Sequence, residues 1–196
     1  MGLQEEYLAL CGFLQKEAEA GLAAAGIPGP AEIDVLEVWC RLTARHGAAP
    51  EEAVLRELSR TFRSLSTEKL RLYPGAAELL DRLRQCGKRV VLLTNAQESF
   101  TSPELEQLGI SRVFDRILIS SEAGVKKPSP AFFAMLGQNG FLPAESVMIG
   151  NDDICDCRGA ASAGMDSMYI RTEQSPKRHL PLPKNCRKII GLAEVF

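Results

Sequence analysis

Between residues 88 and 170 the chain repeats one unit, a short aliphatic run followed by a helix-length segment. The runs lie at residues 89–94, 116–120, 146–149 and 167–170, with one more short candidate at 187–190. Each is strand-length and rich in Val, Ile and Leu, the pattern of strands covered on both faces. Single helices between successive strands act as right-handed crossovers. This alternation predicts an α/β protein whose parallel, Rossmann-like sheet carries helices on both faces. Within it, Thr101-x-x-Glu104 with Pro103 predicts a helix starting near Thr101, and Ser129-Pro130 opens another that runs to about Gly137. A small-residue helix is expected from Asp156 to about Ala163.

The first third has a different period. Leu3, Tyr7, Leu10, Cys11 and Leu14 mark one amphipathic helix, ending near Gly26. A second is expected over residues 32–45, with Ile33, Leu36, Trp39, Cys40 and Thr43 on one face. A third follows Pro50, with Val54, Leu55, Leu58 and Phe62 as its stripe. The pattern changes at Tyr73-Pro74-Gly75, so the expected organisation is a small all-helical unit over residues 1–70 and an α/β core over residues 71–196. A chain of 196 residues suits one well-buried core with an appendage of this size.

Charge excludes some partners. The 23 basic and 25 acidic side chains leave a net charge of −2 with no long run of either sign, which argues against a nucleic acid or an anionic membrane surface. No stretch approaches the roughly 18 apolar residues of a membrane span. The six cysteines form no C-x-x-C pair and no zinc-like spacing, so reduced thiols and a cytoplasmic setting are expected.

Ligands of an open parallel sheet bind beyond the carboxyl ends of its strands. Three such ends are polar here. The first is Thr94-Asn95, the second leads through Ser120-Ser121 to Lys126-Lys127-Pro128, and the third is Gly150-Asn151-Asp152-Asp153 with Asp156 beyond. A hydroxyl, an amide, a lysine and clustered carboxylates on one rim suit a phosphate together with a hard divalent cation.

These three motifs, in this order, resemble those of the haloacid dehalogenase superfamily of hydrolases over about residues 72–172. The resemblance implies a phosphatase-like branch with a helical cap, using Mg²⁺ on a small phosphorylated metabolite. It implies that Thr94 and Lys127 serve catalysis, that Thr94, Asn95 and Lys127 bind the phosphoryl group, and that Asp152 and Asp156 serve the metal, with Asp153 as the other candidate for the nearer ligand. Asn151 stands where the commoner Gly-Asp form has its first acid. In this family an aspartate ending the first strand attacks phosphorus to give an aspartyl-phosphate, which water then hydrolyses.

That first motif has no counterpart here. Before Thr94 stand only Asp34 and Asp81, both in helical patterns. The missing strand would be central, and its loss leaves two buried strand edges, at ~1–3 kcal/mol for each unpaired backbone group. The expectation is that a natural N-terminal segment is absent from these residues, so that the nucleophile lies outside them. The competing reading is an inactive module of the same fold that binds a phosphate ligand or a protein partner. A receiver domain is disfavoured because its acids should come first, and dehalogenation because it needs no metal cluster.

Overall fold

The computed structural model describes residues 2–178 and 180–196. Three helices, α1 (Leu3–Ala24), α2 (Val35–Arg45) and α3 (Glu52–Ser66), come first. They close on a cluster of Leu10, Leu14, Val35, Val38, Trp39, Leu42 and Leu55. The sequence stripes are only partly those that pack. On α2 the buried line is Val35, Val38, Trp39 and Leu42, at helical spacing, whereas Cys40 is exposed. On α1, Leu3 stays 61% exposed. On α3, Val54, Leu58 and Phe62 remain open while Leu55 and Ser59 are buried. Ser59 goes inward because its hydroxyl lies 2.8 Å from that of Ser99, a buried partner across the interface.

Helix α2 begins three residues later than its periodicity suggests. Asp34 caps it, accepting from Leu36 N at 2.9 Å, and the preceding residues are extended. They form a short antiparallel ladder with a distant loop: Ala31 bridges Val125, Glu32 N donates to Gly124 O, and Lys126 N donates to Pro30 O. Nearby, Ser129 Oγ donates to Pro28 O. Gly29 is required beside it, since its φ is +114° and a Cβ there would collide with Ser129.

The remainder alternates as expected: α4 (Ala76–Gln85), β1 (Val91–Thr94), α5 (Glu98–Gln107), β2 (Arg116–Ile119), α6 (Ser120–Ala123), α7 (Pro130–Gln138), β3 (Val147–Gly150), a π-helical turn (Asp153–Arg158), α8 (Gly159–Ser162), β4 (Asp166–Ile170) and β5 (Cys186–Ile189). Helix α5 starts at Glu98 rather than Thr101. The expected capping box does not form because Glu104 pairs with Arg63 of α3 at 2.6 Å, and Glu98 likewise pairs with Arg56. Gln97 reaches across too, accepting from Val35 N and donating to Ile33 O, each at 2.8 Å. The helix expected at Asp156 starts earlier as the π-helical turn, capped by Asp152, whose Oδ1 accepts from Ile154 N and Cys155 N at 2.8 Å.

All strand pairs are parallel, but the strands form two sheets among the described residues, β1–β2 and β3–β4–β5. Helices and both sheets share a core of Leu93, Leu118, Phe132, Phe133, Leu136, Phe141 and Met165. Between β1 and β3 runs an unpaired seam. Carbonyls alternate in direction along a strand, and those of Val90 and Ala96 accept from Asp115 N and Ser121 N on the β2 side. The carbonyl of Leu93 therefore faces away from β2, where no strand meets it. At the other edge Val147 is 50% exposed, unusual for a strand amid a parallel α/β core.

Candidate active site

The carboxyl ends of β1 and β3 are joined by one side chain. Lys127, 8% exposed, donates from Nζ to Leu93 O at 2.8 Å and to Asp156 Oδ1 at 2.7 Å. Its ammonium thus fills the place beside Leu93 O that a neighbouring strand leaves empty. Asn95 fixes the backbone below it. The carboxamide Oδ1 accepts from Lys127 N at 2.8 Å, and Nδ2 donates to Lys127 O at 3.0 Å. Both ends of that amide are committed to the lysine. Thr94, by contrast, is half-buried with a hydroxyl that has no hydrogen-bond partner among the described residues.

Asp156 is buried and engaged on both oxygens. Besides Lys127 on Oδ1, its Oδ2 accepts from Asn151 N and Asp152 N at 2.9 Å each. Gly150 makes this possible, since a Cβ there would collide with the Asp156 carboxylate. Asn151 turns its side chain away, donating to Thr172 Oγ1 at 2.8 Å. Lys126 is no free surface cation either: it pairs with Glu32 at 3.3 Å, and Glu32 also accepts from Ser120 Oγ.

The acidic turn also holds a residue that sequence reasoning missed. Arg178 donates from Nη2 to Asp152 Oδ1 at 2.5 Å and from Nε to Asp153 Oδ1 at 3.0 Å. It lies 26 residues beyond Asp152 in the β4–β5 connection, where no periodicity or motif marks it. Burial pushes the Asp152 carboxyl upward, but the N–H groups of Cys155 and Ile154 and the Arg178 guanidinium outweigh it and hold the group below the usual carboxylate range. Burial, with Asp152 and Asp156 nearby, pushes the Cys155 thiol up to about 11, and burial above all raises Cys157 further. Both shifts disfavour the thiolate, the form a nucleophile needs.

Does the acidic turn fit Mg²⁺? Among the described residues no three His, Cys, Asp or Glu side chains converge as a metal cage. Mg²⁺ does not need one, since it is commonly held by one or two carboxylates together with waters and phosphate oxygens. Asp153 Oδ2 is buried without a partner, and Asp152 Oδ2 accepts no hydrogen bond among the described residues. Those two oxygens fit a hard cation, whereas both oxygens of Asp156 already accept hydrogen bonds. A cleft of about 390 Å³ lies elsewhere, between α3 and α5 beside Arg63, Phe100 and Glu104.

The haloacid dehalogenase-like hydrolase family model matches residues 41–170, two-thirds of the chain and all three polar strand ends. The chain belongs to the haloacid dehalogenase-like hydrolase family. It is 36% identical over 151 residues to a phosphoserine phosphatase of Thermus thermophilus, covering 76% of this chain and 59% of that protein. It is 32% identical over 131 residues to a glyceraldehyde 3-phosphate phosphatase of Methanopyrus kandleri, covering 66% of this chain and 56% of that one. The chain therefore spans somewhat over half the length of these relatives. The solved haloacid dehalogenase-type hydrolase YfnB of Bacillus subtilis superposes with a TM-score of 0.61 over 98% of this chain and 80% of that chain at 21% identity, which shows the fold. That fold is Rossmann-like with a small helical cap. No helix among the described residues is long and apolar enough to cross a membrane.

Proposed function

We propose that residues 71–196 form the phosphate- and cation-binding core of a Mg²⁺-dependent phosphomonoester hydrolase, and residues 1–70 its cap. The observation that carries this reading is the buried Lys127, tied to Leu93 O and Asp156 Oδ1 at the head of the unpaired seam. A buried ammonium is costly unless it serves a charge, and here it stands where phosphoryl oxygens would meet the rim. Thr94 has its hydroxyl free to donate to one of those oxygens. Asn95 acts through Lys127, by fixing its backbone.

Mg²⁺ would supply charge neutralisation at the phosphoryl group when bound by Asp152 and Asp153, with Asp156 orienting the turn. The family resemblance supports that choice of ion, as does YfnB, which was solved bound to magnesium. Neither Asp34, a helix cap, nor Asp81, exposed on α4, ends a strand. The attacking carboxylate is assigned to a parallel strand seated in the seam and supplied from outside residues 1–196. Its oxygen bonds to phosphorus as the ester P–O bond breaks and the alcohol leaves with a proton; water then displaces the aspartate and releases inorganic phosphate. Small phosphorylated metabolites are the substrate class, in keeping with the names of the relatives. The cytoplasm is the proposed compartment, in keeping with six free cysteines.

A second reading rests on the completeness of the Lys127–Asp156 pair without any nucleophile beside it: a binding module that turns nothing over. One experiment separates the two. Phosphate release from a generic aryl phosphate and ³¹P NMR titration of inorganic phosphate are measured on the same preparation of protein that carries the strand proposed for the seam, with and without Mg²⁺. Mg²⁺-dependent release supports the hydrolase, binding without release supports the module, and neither signal sinks both.

A further inference from the structure

Arg178 holds the Oδ1 oxygens of the same two carboxylates whose Oδ2 oxygens the proposed cation needs. Its guanidinium bridges Asp152 and Asp153, while the side chain stays 37% exposed to solvent. Three donors crowd Asp152 Oδ1, from Ile154 N, Cys155 N and Arg178, whereas Asp153 Oδ2 is buried with none. Donors are thus unevenly shared across one carboxylate pair. A monovalent guanidinium on the Oδ1 oxygens and a divalent ion on the Oδ2 oxygens of one carboxylate pair repel each other strongly at such short range. Arginine stays protonated throughout the accessible pH range, so it cannot yield by losing its charge and must move.

The connection that carries Arg178 is otherwise lightly held. Arg158 Nη2 donates to Pro181 O, Asn151 Nδ2 to Thr172 Oγ1, and Arg71 meets Glu173 at 3.5 Å on the surface. Arg178 is its charged anchor to the acidic turn, beside the Asn151–Thr172 hydrogen bond. We propose that Arg178 is a built-in occupant of the cation site: it neutralises Asp152 and Asp153 when no divalent ion is present, and ion binding displaces it and loosens residues 173–178. This rests on the metal reading above and adds to it a competition between a side chain and the ion.

The test is Mg²⁺ titration by calorimetry at constant ionic strength, on the full chain as wild type, Arg178→Gln and Arg178→Lys. Hydrogen exchange of residues 173–178 is followed alongside. Removing the competitor should tighten Mg²⁺ binding about 2–5-fold in Arg178→Gln, the scale of a partly exposed ion pair. Arg178→Lys, which keeps the charge but not the two-pronged contact, should fall between them. In wild type, saturating Mg²⁺ should speed exchange over residues 173–178. Equal or weaker Mg²⁺ affinity in Arg178→Gln, or exchange unaffected by Mg²⁺, overturns the competition and leaves the metal reading standing. Absence of Mg²⁺ binding in both wild type and Arg178→Gln overturns the two together.

Discussion

The two half-sheets end in opposite states of commitment. At the carboxyl end of β3 most polar atoms are engaged, the Oδ2 oxygens of Asp152 and Asp153 excepted: Asp156 holds Lys127 and two backbone N–H groups, and Asp152 caps the π-helical turn while gripping Arg178. At the end of β1, Thr94 leaves its hydroxyl unused and Leu93 O is met by a side chain instead of a strand. One half is a finished electrostatic frame, and the other presents groups for something else to complete. Stability should therefore be concentrated on the β3 side and the response to a phosphoryl ligand on the β1 side.

The largest effect tests the frame at its centre. Asp156→Ala strands a buried ammonium and two backbone donors, and should cost about 3–5 kcal/mol in urea-induced unfolding. Gly150→Ala should approach that loss, since its Cβ must evict the same carboxylate. Lys127→Met should cost less, about 2 kcal/mol, because Asp156 keeps two backbone N–H partners. If Lys127→Met proves the more damaging, the β3 side is not the self-sufficient half.

Smaller effects come from the β1 side and the rim. Asn95→Ala removes two hydrogen bonds to the Lys127 backbone and should cost about 1–2 kcal/mol, with a larger proportional loss of phosphate binding measured by ³¹P NMR. Asp152→Asn sharpens the pH dependence. The folded carboxyl titrates below its ordinary 3.8, so its contribution is present above that value and is lost as pH falls toward the folded one. The stability gap between wild type and Asp152→Asn should therefore be full at pH 7 and close in acid below pH 3.8. Smallest is Glu122→Gln. Burial, with Glu98 nearby, raises that carboxyl, so its ionised form weakens the fold. The variant should melt slightly higher at pH 7, and the gain should vanish as pH drops through the carboxyl range.

The strand–helix alternation was readable because a parallel sheet needs near-continuous aliphatic runs, and β1 to β5 each fall within or beside one. Thr94, Lys127, Asp152 and Asp156 were readable as strand-end residues in a recognisable order. What escaped depended on partners far along the chain. Glu104 satisfies a capping pattern locally yet pairs with Arg63, and Ser59 reads as polar surface yet meets Ser99 inside. The interior line of α3 is set by α5, not by its own hydrophobicity. Arg178 had no local signature, because its meaning lies in two carboxylates a whole strand and turn away. The expected gap beside Leu93 was legible from the absent first motif, but its partial closure by a lysine was not.

The ladder joining residues 30–32 to residues 124–126 gives the helical cap a lever arm. Its rungs end one residue short of Lys127, and the Lys126–Glu32 and Ser129–Pro28 contacts brace it on either side. The cap is thus tied by backbone hydrogen bonds, not by a slack linker, to the loop that aims the buried ammonium.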